Sequence, residues 1–195
     1  MLDGVTVLDL ATVGPAARAS RWLADYGATV VKVGAVASRE GVQIVPVFYA
    51  YSGHRGMKRA AFDLKAPDGR EAFLRLAERA DVVIESFRPG VVSRLGIGYD
   101  DVSARNPGVV YCSTSGYGQD GPHAQWAGHD LNYLAVSGFL DCSQPAGAGD
   151  AAQPPIPGVT IADSAAGGMH AVMSILAALV RRSRTGEGAY LDVSV

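Results

Sequence analysis

The feature that most constrains this chain is a series of short apolar runs separated by helix-length stretches. Residues 5–10 (VTVLDL) form a β-rich run, Gly14-Pro15 opens a helical stretch over residues 16–26, Gly27 ends it, and residues 29–33 (TVVKV) form a second apolar run. Proline suits a first helical turn, where its missing N–H is not needed. Strand, helix and strand in such close succession read as a βαβ unit, with a parallel strand pair and a right-handed crossover.

The alternation continues along the chain. The pattern predicts a short strand at 61–64, a helix over 67–80 with Phe73, Leu74, Leu76 and Ala77 inward, and a strand at 81–87. Helices at 91–95 and 99–105 and a strand at 109–113 follow. Next come a helical pattern over 128–140, a Gly/Ala/Pro-rich linker over 143–158 and a long helix over 160–184. Arg181, Arg182 and Arg184 sit where the negative end of that helix's dipole favours cations. Residues 34–59 read as a long, partly ordered loop. Repeated strand–helix alternation predicts an α/β fold with a mostly parallel sheet.

Composition narrows the class further. The chain is 48% hydrophobic and 18% charged, too apolar for disorder and too varied for a fibre. A chain of 195 residues can bury roughly 70% of its unfolded surface, enough for a core. The net charge of -2 asks for neither nucleic acid nor an anionic membrane. The N-terminus lacks the basic and apolar regions of a signal peptide, and the apolar stretch 169–180 is too short to span a bilayer. A cytoplasmic protein is expected. Cys112 and Cys142 form no CxxC and have no histidine cluster beside them, so they read as reduced thiols in or near the core, and no metal site is expected. The last residues alternate like a half-buried strand and then stop, which points to part of a larger fold.

Several segments carry candidate chemistry. Gly116-Tyr117-Gly118-Gln119-Asp120-Gly121 fits GxGxxG after a strand, but no helix opens at these glycines and the first βα turn carries only Gly14. A nicotinamide or flavin site is therefore weakly supported, although a glycine loop still lets a ligand approach the backbone. Asp163 reads in two ways: as a first-turn carboxylate that complements the helix dipole, or as a carboxylate held ionised by helix N–H groups and serving as base or nucleophile. The small residues after it would leave room for substrate. His129 opens an apolar helix and is either structural or the second acid/base. His54, His123 and His170 read as structural. Ser86 to Val91 end a strand and start a helix, as turn chemistry or as a phosphate grip using Arg88 and Arg94. Arg55, Lys58 and Arg59 extend that basic surface or form a solvated loop face.

Taken together, these motifs resemble the family III CoA-transferases, which include α-methylacyl-CoA racemase. The resemblance runs through LDGVTVLDLATVGPAARASRWLADYGATVVKV, FDLKAPDGREAFLRLAERADVVIESFRPGVVSRLGIGYDDV, VVYCSTSGYGQDGP, GHDLNYLAVSGFL and PGVTIADSAAGGMHAVMSILAALVRRSRTGEGAYLDVSV, and so covers the whole chain. It implies a Rossmann-like large domain over residues 1–195, with a smaller second domain and a returning C-terminal segment that this chain lacks. It implies an acyl-CoA thioester substrate, with coenzyme A entering as part of that substrate and no permanent cofactor. It also implies an interlocked homodimer, or a hetero-oligomer with a chain supplying the missing half. The resemblance places CoA near Phe87, Arg88, Gly90 and Val91, with Arg94, and near Gly116, Tyr117 and Gly118. Arg55, Lys58, Arg59 and Tyr133 join the expected substrate contacts. The family's catalytic aspartate matches Asp163. His129 and Tyr133 lie in GHDLNYLA, which resembles the racemase branch, and transferases generally lack that histidine. The family's acidic residue after the second strand is replaced here by Gly34, and Arg39 is the candidate to keep the arginine role nearby. The implied reaction is epimerisation at C2 of a 2-methylacyl-CoA, with CoA transfer between acids through an aspartyl anhydride and thioester, or CoA binding without turnover, as alternatives.

Overall fold

The computed structural model describes residues 1–11, 14–36, 54–145, 147, 149 and 153–195. Six strands form one sheet: β1 (Thr6–Asp9), β2 (Thr29–Ala35), β3 (Lys58–Phe62), β4 (Val82–Glu85), β5 (Val110–Ser115) and β6 (Ala189–Ser194). Their spatial order is β3-β2-β1-β4-β5-β6, and every neighbouring pair is parallel. The α/β expectation holds, with a Rossmann-like strand order that reverses direction between β1 and β4.

Because side chains alternate across a strand, each strand feeds two cores. On one face, Val7, Val82, Ile84, Val110 and Val193 pack against α1 (Gly14–Asp25) and the last long helix. On the other, Leu8, Val33, Val83 and Tyr111 pack against α2 (Pro67–Ala77), α3 (Val91–Leu95) and the residues around α4 (Tyr99–Ser103). Central strands buried on both faces explain the continuous apolar runs VVI and VVY.

The two cores also show how the crossovers turn. The β4→β5 and β5→β6 connections step in the same direction along the sheet. The first packs its helices on the α2 face and the second packs its long helix on the α1 face. Those two crossovers therefore have opposite hands; β1→β2 and β3→β4 share the hand of β4→β5, so β5→β6 is the one that departs. The β6 side chains Tyr190, Asp192 and Ser194 are left exposed.

Several element boundaries differ from expectation. Lys58 and Arg59, read as loop, are the first two residues of β3 and pair with Val31 and Lys32. The 128–140 pattern divides into α5 (Asp130–Val136) and α6 (Phe139–Cys142), because Gly138 takes a left-handed conformation at φ 79°. The long helix is α7 (His170–Thr185), and a π-helical segment, Ala162–Met169, precedes it. At 24 residues the continuous helix is long and apolar enough to cross a membrane, which the shorter 169–180 stretch was not. Ala171 and Ile175 are fully buried against the sheet, as in a core helix. Cys112 is buried, whereas Cys142 lies on the surface at the end of α6.

One buried charge pair went unread in the sequence. Asp9, at the end of β1, is fully buried and accepts bonds from Lys32 Nζ (2.9 Å), the Ala11 N–H (2.8 Å) and the Ser20 hydroxyl. Removing one partner of such a pair leaves an uncompensated buried charge, at about 3–5 kcal/mol. The network ties the start of the β1–α1 loop to α1 and β2.

Candidate active site

A cavity of about 410 Å³ opens beyond the C-terminal ends of β4 and β5, lined in part by Phe87, Arg88, Gly116, His129 and Tyr133. This is where open parallel sheets generally take ligands. A glycine is required at two points of its wall. A Cβ at Gly116 would come within 2.6 Å of the Tyr133 ring, and one at Gly128 within 2.7 Å. The Tyr133 hydroxyl donates to the Gly128 carbonyl at 2.6 Å, and its ring packs edge-on against Tyr117 at 5.2 Å. Gly116, the first glycine of the GxGxxG match, is thus a seat for Tyr133.

The acid/base candidates meet at the N-terminus of α5. His129 is exposed and lines the cavity, and its backbone N–H donates to the Asn132 side chain at 2.9 Å. The next residue, Asp130, is buried and accepts the Asp163 backbone N–H at 2.9 Å. This bond joins the π-helical turn to α5 and brings Asp163 within electrostatic reach of His129 and Tyr133. Asp163 itself is half-buried and is not part of the cavity lining.

Burial raises the Asp163 carboxyl above the usual carboxylate range, and the Asp130 carboxylate raises it further. Arg18 of α1 and His129 act in the opposite direction. A carboxyl shifted in this direction takes up a proton more readily than an unperturbed one, which favours a role in proton exchange. The small residues after it also have another use. A Cβ at Gly167 would lie 2.5 Å from Pro15 Cβ, and one at Gly168 would lie 3.2 Å from Arg18 Cβ. These two glycines let α1 approach the helix rather than leave room for substrate; Ala165 and Ala166 are the exposed small residues here.

The remaining candidates scatter. Tyr117 lines an adjacent cavity of about 250 Å³ with Gly116 and Tyr133. Gly90, left-handed at φ 82°, lines a third cavity of about 430 Å³ on the α3–α4 side. Val91, Arg94 and Gly118 line none of these three. Arg94 is exposed and lies over Gly90, and Gly118 packs toward Asp192 of β6. Arg55, Lys58 and Arg59 lie at β3, separated from β4 by β2 and β1, and the structure does not bring them to the cavity. Arg39 lies outside the described residues. His123, read as structural, packs against Trp126 at 3.9 Å and Tyr117 at 6.2 Å.

Asp130 and Arg18 went unread. Asp130 had a signal, an acidic residue in the first turn of an apolar helix. Arg18 had none, because its relation to Asp163 is wholly tertiary. Asp130→Asn preserves the acceptor for the Asp163 N–H while removing the charge. It is expected to lower the Asp163 pKa, so that the acid limb of a rate requiring ionised Asp163 moves to lower pH, as a pH–rate profile would record.

The parallel sheet and the cavity at its strand ends define an α/β protein with a candidate ligand crevice. The chain belongs to CoA-transferase family III, whose family model matches residues 2–195. It is 37% identical to the human α-methylacyl-CoA racemase over 194 residues, covering all of this chain and 48% of that protein. It is 35% identical to the succinate–glutarate CoA-transferase of Agrobacterium fabrum, covering all of this chain and 50% of that protein. The crystal structure of a CaiB/BaiF family protein from Brucella suis superposes with a TM-score of 0.84 at 32% identity, over 99% of this chain and 52% of that one. The chain spans about half the length of the relatives it matches. Members of the family are racemases or CoA-transferases of acyl-CoA substrates, and the two kinds resemble this chain almost equally.

Proposed function

We propose that this chain is the CoA-binding domain, with its proton-transfer pair, of an enzyme that epimerises C2 of a 2-methylacyl-CoA. The observation that carries this reading is that Asp130 holds the Asp163 N–H at the start of α5, directly after His129, with Asp163 and His129 in electrostatic reach of each other. A C2 proton is weakly acidic, so inversion needs one group to remove it and a second to return a proton on the opposite face. Asp163 serves one enantiomer as base and His129 the other. The thioester carbonyl must be polarised as the enolate forms. The Asp130 and Leu131 N–H groups, in the first turn of α5 directly after His129, have no intrahelical acceptor. One such donor contributes about 2.7–4 kcal/mol to a developing oxyanion. Arg88, exposed on the cavity wall, supplies positive charge for the CoA portion. Coenzyme A arrives with the substrate, and no permanent cofactor is needed.

In this reading the working enzyme is an assembly. Met169, Met173 and Val180 are exposed on the long helix. This supports coverage of the helix by a second copy of the chain or by a polypeptide carrying the other half of the fold.

Incubating a single enantiomer of a 2-methylacyl-CoA with the assembled enzyme in D2O tests the proposal. Deuterium at C2 together with inversion is expected. Absence of deuterium, with a hydroxylamine-sensitive acyl-enzyme in its place, would mark CoA transfer through Asp163 instead.

A further inference from the structure

Three residues stand side by side on β4, β5 and the edge strand β6. Glu85 of β4 pairs in register with Ser113 of β5, and Ser113 with Asp192 of β6. All three belong to the face opposite α1. Glu85 is 1% exposed, an unusual place for a carboxyl that the proton-transfer reading does not use. Its Oε2 accepts the Phe87 N–H at 2.7 Å, and the Ser113 hydroxyl donates to the same carboxyl. The Tyr190 hydroxyl reaches Ser113 Oγ at 3.3 Å. The Thr114 hydroxyl holds the Glu85 carbonyl at 3.1 Å. At the other end, Asp192 Oδ2 accepts the Gln119 N–H at 2.9 Å.

The two carboxylates have parallel tasks. Each reaches beyond the strand ends to take a backbone N–H from a loop. Glu85 holds the β4–α3 loop, whose Ser86, Phe87, Arg88 and Pro89 form one wall of the main cavity. Asp192 holds the β5–α5 loop, whose Gly116 lines the same cavity and whose Tyr117 lines the adjacent one. Neither carboxylate lines that cavity. Asp192 is free to do this because the β5→β6 crossover runs over the opposite face and leaves this side of β6 open.

We infer that Glu85 and Asp192, on either side of Ser113, are positioning residues that set the separation of the two loops between which the acyl-CoA thioester lies. The inference deepens the proposed function and rests on it for the identity of the ligand. The brace itself is a property of the fold. Burial raises the Glu85 carboxyl, and Asp192 adds to that, while the Ser113 and Phe87 donors oppose both.

Hydrogen exchange at single amides, read together with acetyl-CoA affinity, tests this. Glu85→Met keeps the shape of the side chain and removes its acceptor, whereas Glu85→Gln keeps an acceptor. Asp192→Ala acts at an exposed position, where folding is not at stake. Glu85→Met is expected to speed exchange at the Phe87 amide, and Asp192→Ala at the Gln119 amide, each by about tenfold or more as a local bond is lost. Glu85→Gln should stay within about threefold of wild type. The dissociation constant for acetyl-CoA should rise about tenfold in the first two variants and not in the third. Wild-type exchange rates at both amides in folded Asp192→Ala and Glu85→Met would overturn the brace. Accelerated exchange in a protein that does not bind acetyl-CoA would uphold the brace and overturn the functional reading.

Discussion

Asp163→Asn is expected to abolish inversion of a 2-methylacyl-CoA and to slow proton exchange by about 10²–10⁴-fold for the enantiomer that it deprotonates. Asparagine has nearly the same shape but neither accepts nor returns a proton at neutral pH. The Asp163 backbone N–H bond to Asp130 involves no Asp163 side-chain atom, so the local fold should survive. The measurement is deuterium incorporation at C2 by mass spectrometry, with each enantiomer supplied separately. The opposite enantiomer should still exchange, without inverting, because His129 can remove its proton and return a solvent deuteron to the same face. Equal loss of exchange from both enantiomers would contradict the two-base assignment.

His129→Ala should give the mirror result. Inversion should disappear, with exchange retained only for the enantiomer served by Asp163, and the loss for the other should again be about 10²–10⁴-fold. The imidazole is exposed and makes no side-chain bond on which the fold depends, so stability should be almost unchanged. This variant also separates the two activities found among the relatives. Transfer of CoA between acids needs a nucleophilic carboxylate but no second base on the far side of C2. Full transferase activity in His129→Ala, with none in Asp163→Asn, would identify a transferase.

Much of this was legible in the sequence, for physical reasons that can be named. Strands buried on both faces must be continuously apolar, so VVI and VVY announced themselves. The helix before β2 was framed by Pro15 and Gly27, whose backbone preferences are local. Asp163 and His129 could be picked as candidates because each lies at the start of an apolar helical pattern, where a polar group is conspicuous.

What failed to show were properties that depend on a distant partner. Gly167 and Gly168 looked like room for substrate, yet they are small because Pro15 and Arg18 of α1 press against them. The charged Lys58 and Arg59 suggested a loop, yet they belong to a strand at the sheet edge, where exposed charge costs little. Glu85 gave no sign of being buried, since its partners come from β5 and from the loop after its own strand.

The sequence by itself determined the strand–helix alternation, the parallel sheet it requires and the residue types available for proton transfer, because these follow from backbone preference and side-chain period. Only the tertiary structure decided the rest. It set the opposite hand of the β5→β6 crossover, raised the Asp163 pKa by burying the carboxyl next to Asp130, and aligned Glu85, Ser113 and Asp192 across three strands. Each depends on groups far apart in the chain, whose separation and burial only the packed fold determines.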